Sequence, residues 1–279
     1  MEAIITDIVR GCYHDGPGLR TVVTFKGCPL HCAWCHSPHT WAFMPNLWYE
    51  SKTCIGCNQC ISQCISNAIE KQKNNKIWIN FEACKQCMRC TKVCPTKSLR
   101  KVGDKWQVEN LAENLKKDRI LFRNTGGGVT LSGGECLAQS EACYRLLQNI
   151  HNEGIHTAIE TCGYAPRKVL ESILPFTDLF LYDIKLLDPG QHEKWTGVSN
   201  EQIIQNLYYL ADMQAKIQVR SPLIPQLNDS EEFKNQLRQM CNDLGIAPPE
   251  FLPLNPATAE IYGKIGIPFR CFLLEDEKI

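Results

Sequence analysis

A cysteine pattern that occurs twice restricts this chain more than any other feature. Residues 54 to 64 read CIGCNQCISQC and residues 84 to 94 read CKQCMRCTKVC, each spaced C-x2-C-x2-C-x3-C. Every cysteine recurs at an offset of thirty residues: Cys54 with Cys84, Cys57 with Cys87, Cys60 with Cys90 and Cys64 with Cys94. At this spacing three close thiolates hold one four-iron cluster, and the fourth reaches across to ligate a second.

That rule assigns Cys54, Cys57, Cys60 and Cys94 to one cluster, and Cys84, Cys87, Cys90 and Cys64 to the other. A zinc ribbon needs only two separated C-x2-C pairs in a tetrahedral site, and would leave four of the eight thiolates unexplained. Pro95 follows the second motif, whereas Ile65 stands at that place in the first; this loosens a turn without removing a ligand. Residues 50–103 are thus expected to form a ferredoxin-like α+β insert. A turn at Asn74-Asn75 and a short strand around Trp78 lie between its halves. So small a unit has little core of its own, and its clusters would staple it together.

The bulk composition agrees with metal ligation. The 279 residues include 17 cysteines, and no basic region followed by a long apolar run opens the chain. A reducing, cytoplasmic setting is expected, where thiols stay free and a disulfide scaffold is disfavoured. Net charge is zero, with 30 basic and 30 acidic residues, so neither a nucleic acid nor a membrane surface is an expected partner. No apolar run reaches the roughly 18 residues of a membrane span.

Outside the insert, β-rich runs alternate with helical patterns, which implies βα units on a parallel sheet. Strands are expected at Thr21–Lys26, Val129–Leu131, His156–Thr161, Leu179–Ile184, Lys216–Arg220 and Pro249–Leu254. Helices are expected at Leu111–Asp118, Ala138–Asn152, Pro166–Leu174, Glu201–Asp212 and Glu231–Leu244. Six such units suit a partial (β/α)6 barrel built from residues 1–49 and 104–279. Unusual residues follow the strands: GCPLHCAWCH, SGGE, CGY and Lys185. In parallel α/β folds the C-terminal strand ends build the active site, so this clustering favours catalysis over packing.

Cys28, Cys32 and Cys35 form a third set, C-x3-C-x2-C, with no fourth cysteine at ligand spacing. Three thiolates on a four-iron cluster would leave one iron open, unless a distant cysteine such as Cys12 or Cys162 completes the site. With this triplet the chain resembles the radical S-adenosylmethionine (SAM) superfamily. Within it, the chain is most similar to glycyl-radical-enzyme activating enzymes that carry a ferredoxin insert, of the pyruvate formate-lyase activating type. The likeness runs from about Asp7 to about Phe269. It rests on DGPGLRT, FKGCPLHCAWCH, GGGVTLSGGE, ETCGY, LFLYDIKLLDPGQHEKWTGVSN and VRSPLIPQLNDS in this order. The chain ends soon after Phe269, which implies a truncated last unit.

The resemblance implies that Cys28, Cys32 and Cys35 hold the catalytic cluster, whose open iron is chelated by SAM. It implies Trp34 and His36 beside the adenine, and Ser132, Gly133, Gly134 and Glu135 at the methionine end, with Glu135 taking the cationic amine. Asp183 and Lys185 resemble a pair that holds SAM and orders the substrate loop. Glu160 stands where relatives have aspartate near the SAM carboxylate, and Asn255 where many have a histidine near the ribose. Three four-iron clusters in all are implied, two of them auxiliary. The expected activity is reductive cleavage of SAM to a 5′-deoxyadenosyl radical that takes hydrogen from a glycine of a partner enzyme. A ferredoxin or flavodoxin would supply electrons, and Asp15 and Arg20 of DGPGLRT would meet the partner's loop. The competing readings are a radical SAM enzyme with a small-molecule or peptide substrate, and a plain electron carrier. The carrier reading leaves Cys28, Cys32 and Cys35 without a purpose.

Overall fold

The computed structural model describes residues 1–269. The expected truncation concerns residues beyond Phe269 and so lies outside the described residues. Strands β1 (Glu2–Cys12) and β2 (Arg20–Phe25) open the fold as an antiparallel pair. A cysteine-bearing unit follows, made of β3 (Asn46–Tyr49), α1 (Gln59–Ser62), β4 (Ile69–Lys71), β5 (Ile77–Ile79), α2 (Arg89–Lys92) and β6 (Leu99–Val102). Then β7 (Asp104–Gln107), α3 (Val108–Lys116) and α4 (Arg119–Thr125) lead back to the sheet. The remaining strands are β8 (Gly128–Gly133), β9 (His156–Thr161), β10 (Leu179–Asp183), β11 (Ile217–Leu223) and β12 (Glu250–Pro253). Between and after them run α5 (Ser140–His151), α6 (Arg167–Ile173), α7 (Pro189–Thr196), α8 (Glu201–Asp212), α9 (Glu231–Asp243) and α10 (Thr258–Lys264).

Among the described residues the main sheet has eight strands in the order β12-β11-β10-β9-β8-β2-β1-β7. Six of them, β2 and β8 to β12, run parallel and lie side by side in sequence order. A doubly wound sheet would reverse its order at a switch point; a one-directional order is that of a barrel left open. These strands read as near-continuous apolar runs, as parallel strands covered on both faces do; Phe180, Leu181 and Tyr182 of β10 are all buried. Helix α5 turns Ala142, Cys143, Leu146, Leu147 and Ile150 inward, one stripe at helical spacing.

The six expected strands are these six, and the five expected helices are α3, α5, α6, α8 and α9, with ends displaced by up to three residues. β1, β7, α4, α7 and α10 were not expected. β7 (DKWQ) has no apolar run and exists by antiparallel pairing with Glu2–Ile5. α7 (PGQHEKWT) turns polar His192 and Thr196 inward, where the His192 ring bonds the Val198 carbonyl at 2.7 Å.

The cysteine unit carries the thirty-residue repeat into three dimensions. α1 and α2 stand thirty residues apart, and left-handed backbone recurs at Gly56 and Gln86, Asn58 and Met88, Asn67 and Lys97. The pairing Ile69↔Ile79 of β4 with β5 repeats as Leu99↔Tyr49 of β6 with β3. Each half therefore gives its last strand to the other half's first. The first half begins with β3, so the paired unit starts at Asn46, four residues ahead of the expected boundary.

Three buried asparagines clip the loops that leave the strands. Asn206 donates to the carbonyls of Gly163 and Ala165, and Asn200 to those of Leu186 and Leu187. Asn228 donates to Lys185 and Pro222 and accepts from the Ile224 amide at 2.6 Å. Replacing Asn228 with alanine orphans two carbonyls and an amide, and is expected to cost about 2–4 kcal/mol. Urea unfolding of the reconstituted protein measures this; an unchanged midpoint would contradict the clip.

Candidate active site

The triplet loop leaves β2 and is held by backbone alone at several points. Gly27 and Cys28 donate to Thr40 and Trp41, and His31 and Ala33 to Thr196 and Trp195 at the end of α7. Leu30, Cys32 and Trp34 are buried against Leu186 and Ile224, with Cys28 and Cys35 packed against the same cluster, so the loop packs as an apolar plug. Burial pushes the Cys28 thiol well up and the Cys32 thiol up to about 12. Burial thus disfavours the thiolates, and a bound cation is what would hold them ionised.

Twelve of the thirteen residues expected at this site line one cavity of about 420 Å3, within the usual size for a small-molecule site. They are Cys28, Cys32, Cys35, Trp34, His36, Ser132, Gly133, Gly134, Glu160, Asp183, Lys185 and Asn255. The wall also includes Asp15, expected as a contact for the partner's loop, and Trp41 and Pro222, neither of them expected as a site residue.

The polar wall is an ion network at the strand ends. The Lys185 Nζ lies 3.0 Å from Asp183 Oδ2. Burial works against its ammonium, but the Asp183 carboxylate and the nearby Cys32 and Cys162 sulfurs together outweigh it, and Lys185 is held above the ordinary lysine range. Ser132 Oγ donates to Glu160 Oε2 at 2.5 Å, and Arg220 Nη1 lies 3.5 Å from Glu160 Oε1. Burial, and then the Asp183 charge, raise the Glu160 carboxyl above its usual value. Arg220 also pairs with Glu250 at 3.2 Å and donates to the His14 carbonyl, tying the N-terminal loop to the far edge of the sheet. Its signal was an arginine at the end of an apolar strand, inside the VRSPLIP run.

Two expectations are corrected. Glu135 is 1% exposed and does not line the cavity. Its carboxylate accepts from Thr161 Oγ1 at 2.8 Å, from the amides of Leu137 and Cys162, and from Cys162 Sγ at 3.0 Å. With those donors filling it, the side chain clamps ETCGY to SGGE instead of reaching a ligand amine. Arg20 is fully buried, not a contact for a partner. Its guanidinium donates to Thr130 Oγ1 and to the Pro17 and Val129 carbonyls, and Thr130 in turn donates to the Asp15 carbonyl.

The glycines of SGGE also have a packing reason. A Cβ on Gly133 would stand 2.2 Å from the Phe25 carbonyl oxygen, and one on Gly134 2.5 Å from that of Gly27. Bare backbone lets the end of β8 touch both β2 and the triplet loop.

Cys162 lines the cavity, yet its thiol is engaged with Glu135 and pushed far up by burial. Cys12 does not line it. In the insert, Cys54, Cys57, Cys60 and Cys94 surround one small cavity, and Cys64, Cys84, Cys87 and Cys90 surround another.

The geometry agrees with comparisons to known proteins. A family profile described as a 4Fe–4S single cluster domain matches residues 14–204. The trans-4-hydroxy-L-proline dehydratase activating enzyme of Clostridioides difficile is 37% identical over 268 residues, covering 95% of this chain and 88% of that protein. The (2S)-3-sulfopropanediol dehydratase activating enzyme of Klebsiella oxytoca is 38% identical over 277 residues, covering 96% and 86%. The chain belongs to the activating enzymes of glycyl radical enzymes. A radical SAM methyltransferase from Sphaerobacter thermophilus aligns over 95% of this chain and 75% of that one, with a TM-score of 0.50 at 14% identity. That likeness is one of fold, the radical SAM type with a mostly parallel sheet. The activating enzyme is accordingly a radical SAM oxidoreductase that uses a 4Fe–4S cluster and SAM and acts on a glycyl radical enzyme. No described helix is long and apolar enough to cross a membrane.

The clamp on Glu135 yields a test within this activating enzyme. Glu135→Ala leaves buried amide and hydroxyl donors unpartnered and is expected to cost about 2–4 kcal/mol, with Glu135→Gln costing less. Denaturant titration of the two variants measures the difference; equal and negligible losses would refute the clamp.

Proposed function

We propose that the triplet cavity is where the activating enzyme binds SAM and the partner's glycine loop, and that the two thiol sets of the insert hold auxiliary four-iron clusters. The observation that carries this reading is the meeting of Cys28, Cys32 and Cys35 with the ion network of Glu160, Asp183 and Lys185 in one cavity. The donor sets fit. Each insert cavity is lined by four thiols, three from one motif and one from the other, as the shared-ligand spacing requires. The third has three available thiols, because Cys162 is hydrogen-bonded to Glu135, which suits a cluster with one open iron.

When bound, the reduced cluster and SAM supply a 5′-deoxyadenosyl radical able to take hydrogen from a glycine α-carbon. The chain's own residues bind, orient and shield. Since Glu135 is turned inward, the carboxylates left to receive the SAM amine are Glu160 and Asp183. Glu160's raised carboxyl would be drawn toward ionisation by such a cation, so binding strengthens both groups. Lys185, kept charged by Asp183, offers the cation for a carboxylate. Trp34 and His36 present aromatic rings at the wall, and Asn255 stays near it because its Oδ1 accepts from the Ala257 amide at 2.9 Å. Among the described residues β12 and β7 are not paired with one another, and such an opening would suit a polypeptide loop better than a buried small molecule. The auxiliary clusters would relay electrons from a low-potential protein donor, a ferredoxin or a flavodoxin.

Anaerobic reconstitution is expected to give about twelve irons per chain, and the combined Cys28→Ala, Cys32→Ala and Cys35→Ala variant about eight with no SAM cleavage. Saturation at four irons with bound zinc would defeat the two-cluster insert. Incubation with a cognate glycyl radical enzyme, SAM and reductant should produce a glycine-centred radical doublet by electron paramagnetic resonance. SAM consumed in step with a modified small metabolite, with no such doublet, would overturn the partner assignment.

A further inference from the structure

The zero net charge conceals a segregation. Residues 46–103 carry ten Lys and Arg against three Asp and Glu, which leaves twenty basic and twenty-seven acidic residues elsewhere. Nine of the ten cations are exposed. Lys52 pairs with Glu260 and Lys101 with Asp104, while Arg100 lies 4.5 Å over the Trp48 ring. Among the described residues, Lys71, Lys73, Lys85, Arg89, Lys92 and Lys97 make no ion pair.

Four of these six belong to the second half of the repeat, three of them inside its cysteine motif, and the repeat shows how one-sided that is. The mates of Lys85, Arg89, Lys92 and Lys97 in the first half are Ile55, Gln59, Ser62 and Asn67, all neutral. The backbone is the same at both places, with helix starts at Gln59 and Arg89 and left-handed residues at Asn67 and Lys97. One half of a near-symmetric unit has been made basic and the other has not. The basic half reaches both thiol sets: Lys85 lines the cavity of Cys84, Cys87 and Cys90, and Lys97 follows Thr96, which lines the cavity shared by Cys94. Cys87, between Lys85 and Arg89, is itself exposed.

We propose that this basic half is the docking surface for an acidic, low-potential, one-electron carrier protein. The inference rests on the reading of the insert as a two-cluster relay. Unpaired exposed cations next to an exposed cluster ligand steer an anionic protein to the edge where electrons enter, which speeds encounter without tight binding. The step is a single electron transfer: the carrier is oxidised by one electron and an insert cluster reduced by one, with no bond made or broken.

Stopped-flow reduction of the reconstituted holoenzyme by an acidic reduced ferredoxin tests it, with the methyl viologen radical cation as a reductant that cations do not steer. In K85Q/R89Q/K92Q/K97Q the second-order rate with ferredoxin at low salt should fall about tenfold or more, and its salt dependence should flatten. Methyl viologen should reduce that variant at least as fast as the parent, and K71Q/K73Q should keep the parent's ferredoxin rate within about twofold. An unchanged ferredoxin rate and salt slope at full iron content would overturn the proposal. So would a salt-sensitive dimer in sedimentation that the variant abolishes without altering that rate, which would give the surface to a second copy of the chain. An insert that takes up no iron would instead remove the relay reading and the docking surface with it, and iron analysis separates that case from the others.

Discussion

Parallel strands in sequential order carry all their C-terminal ends to one edge of the sheet, and everything chemical in this chain depends on that. Strands sit about 4.8 Å apart in the hydrogen-bonding direction. The register puts Phe25 beside Gly133, Thr161 beside Tyr182, and Asp183 beside Arg220. Residues more than a hundred positions apart in sequence thus become lateral neighbours without any loop having to search for its partner. A thiol triplet, a serine-glycine turn, a carboxylate and a lysine meet because each lies within a few residues of a strand end.

Edge placement alone would leave these loops loose, and buried polar side chains fix them. Glu135 joins the loops after β8 and β9, Asn206 holds the second of these from α8, and Asn228 ties the loops after β10 and β11 together. Each is almost fully buried and hydrogen-bonded to the loops it holds, the condition under which a polar core group specifies geometry instead of weakening it. Tyr182 adds a steric limit: a Cβ on Gly163 would lie 1.7 Å from its hydroxyl oxygen, so the ETCGY turn can pass β10 only as glycine.

The parallel strands and cysteine sets were legible because periodicity and spacing are local properties of a sequence. The pairing of β7 with β1 was not, since four residues with a single aromatic carry no pattern until a partner strand is supplied. The same limit explains Glu135 and Arg20. Motif position says that a side chain lies near the site, but the direction it points is decided by the donors and acceptors around it. Here those neighbours come from Thr161, Thr130 and Val129 on other strands and from Cys162 just beyond β9. The link of β3 to the cysteine unit is hidden for a related reason. Asn46–Tyr49 has no cysteine, and only its pairing with Leu99–Val102 joins it to the repeat.

That exchange of strands makes the cysteine unit indivisible. Each two-stranded ribbon takes one strand from either half, and each thiol set takes three members from one half and one from the other. Neither half owns a complete core: Leu47, Ile69, Ile77 and Leu99 form one apolar cluster drawn from both. A chain carrying only one copy of the motif would lack a ribbon partner and a ligand at once, so the duplication is not a redundancy in which one copy backs up the other. Damage to a single thiol set loosens the wall of its neighbour, and oxidative loss in this unit should spread from one site to the next as a single cooperative event.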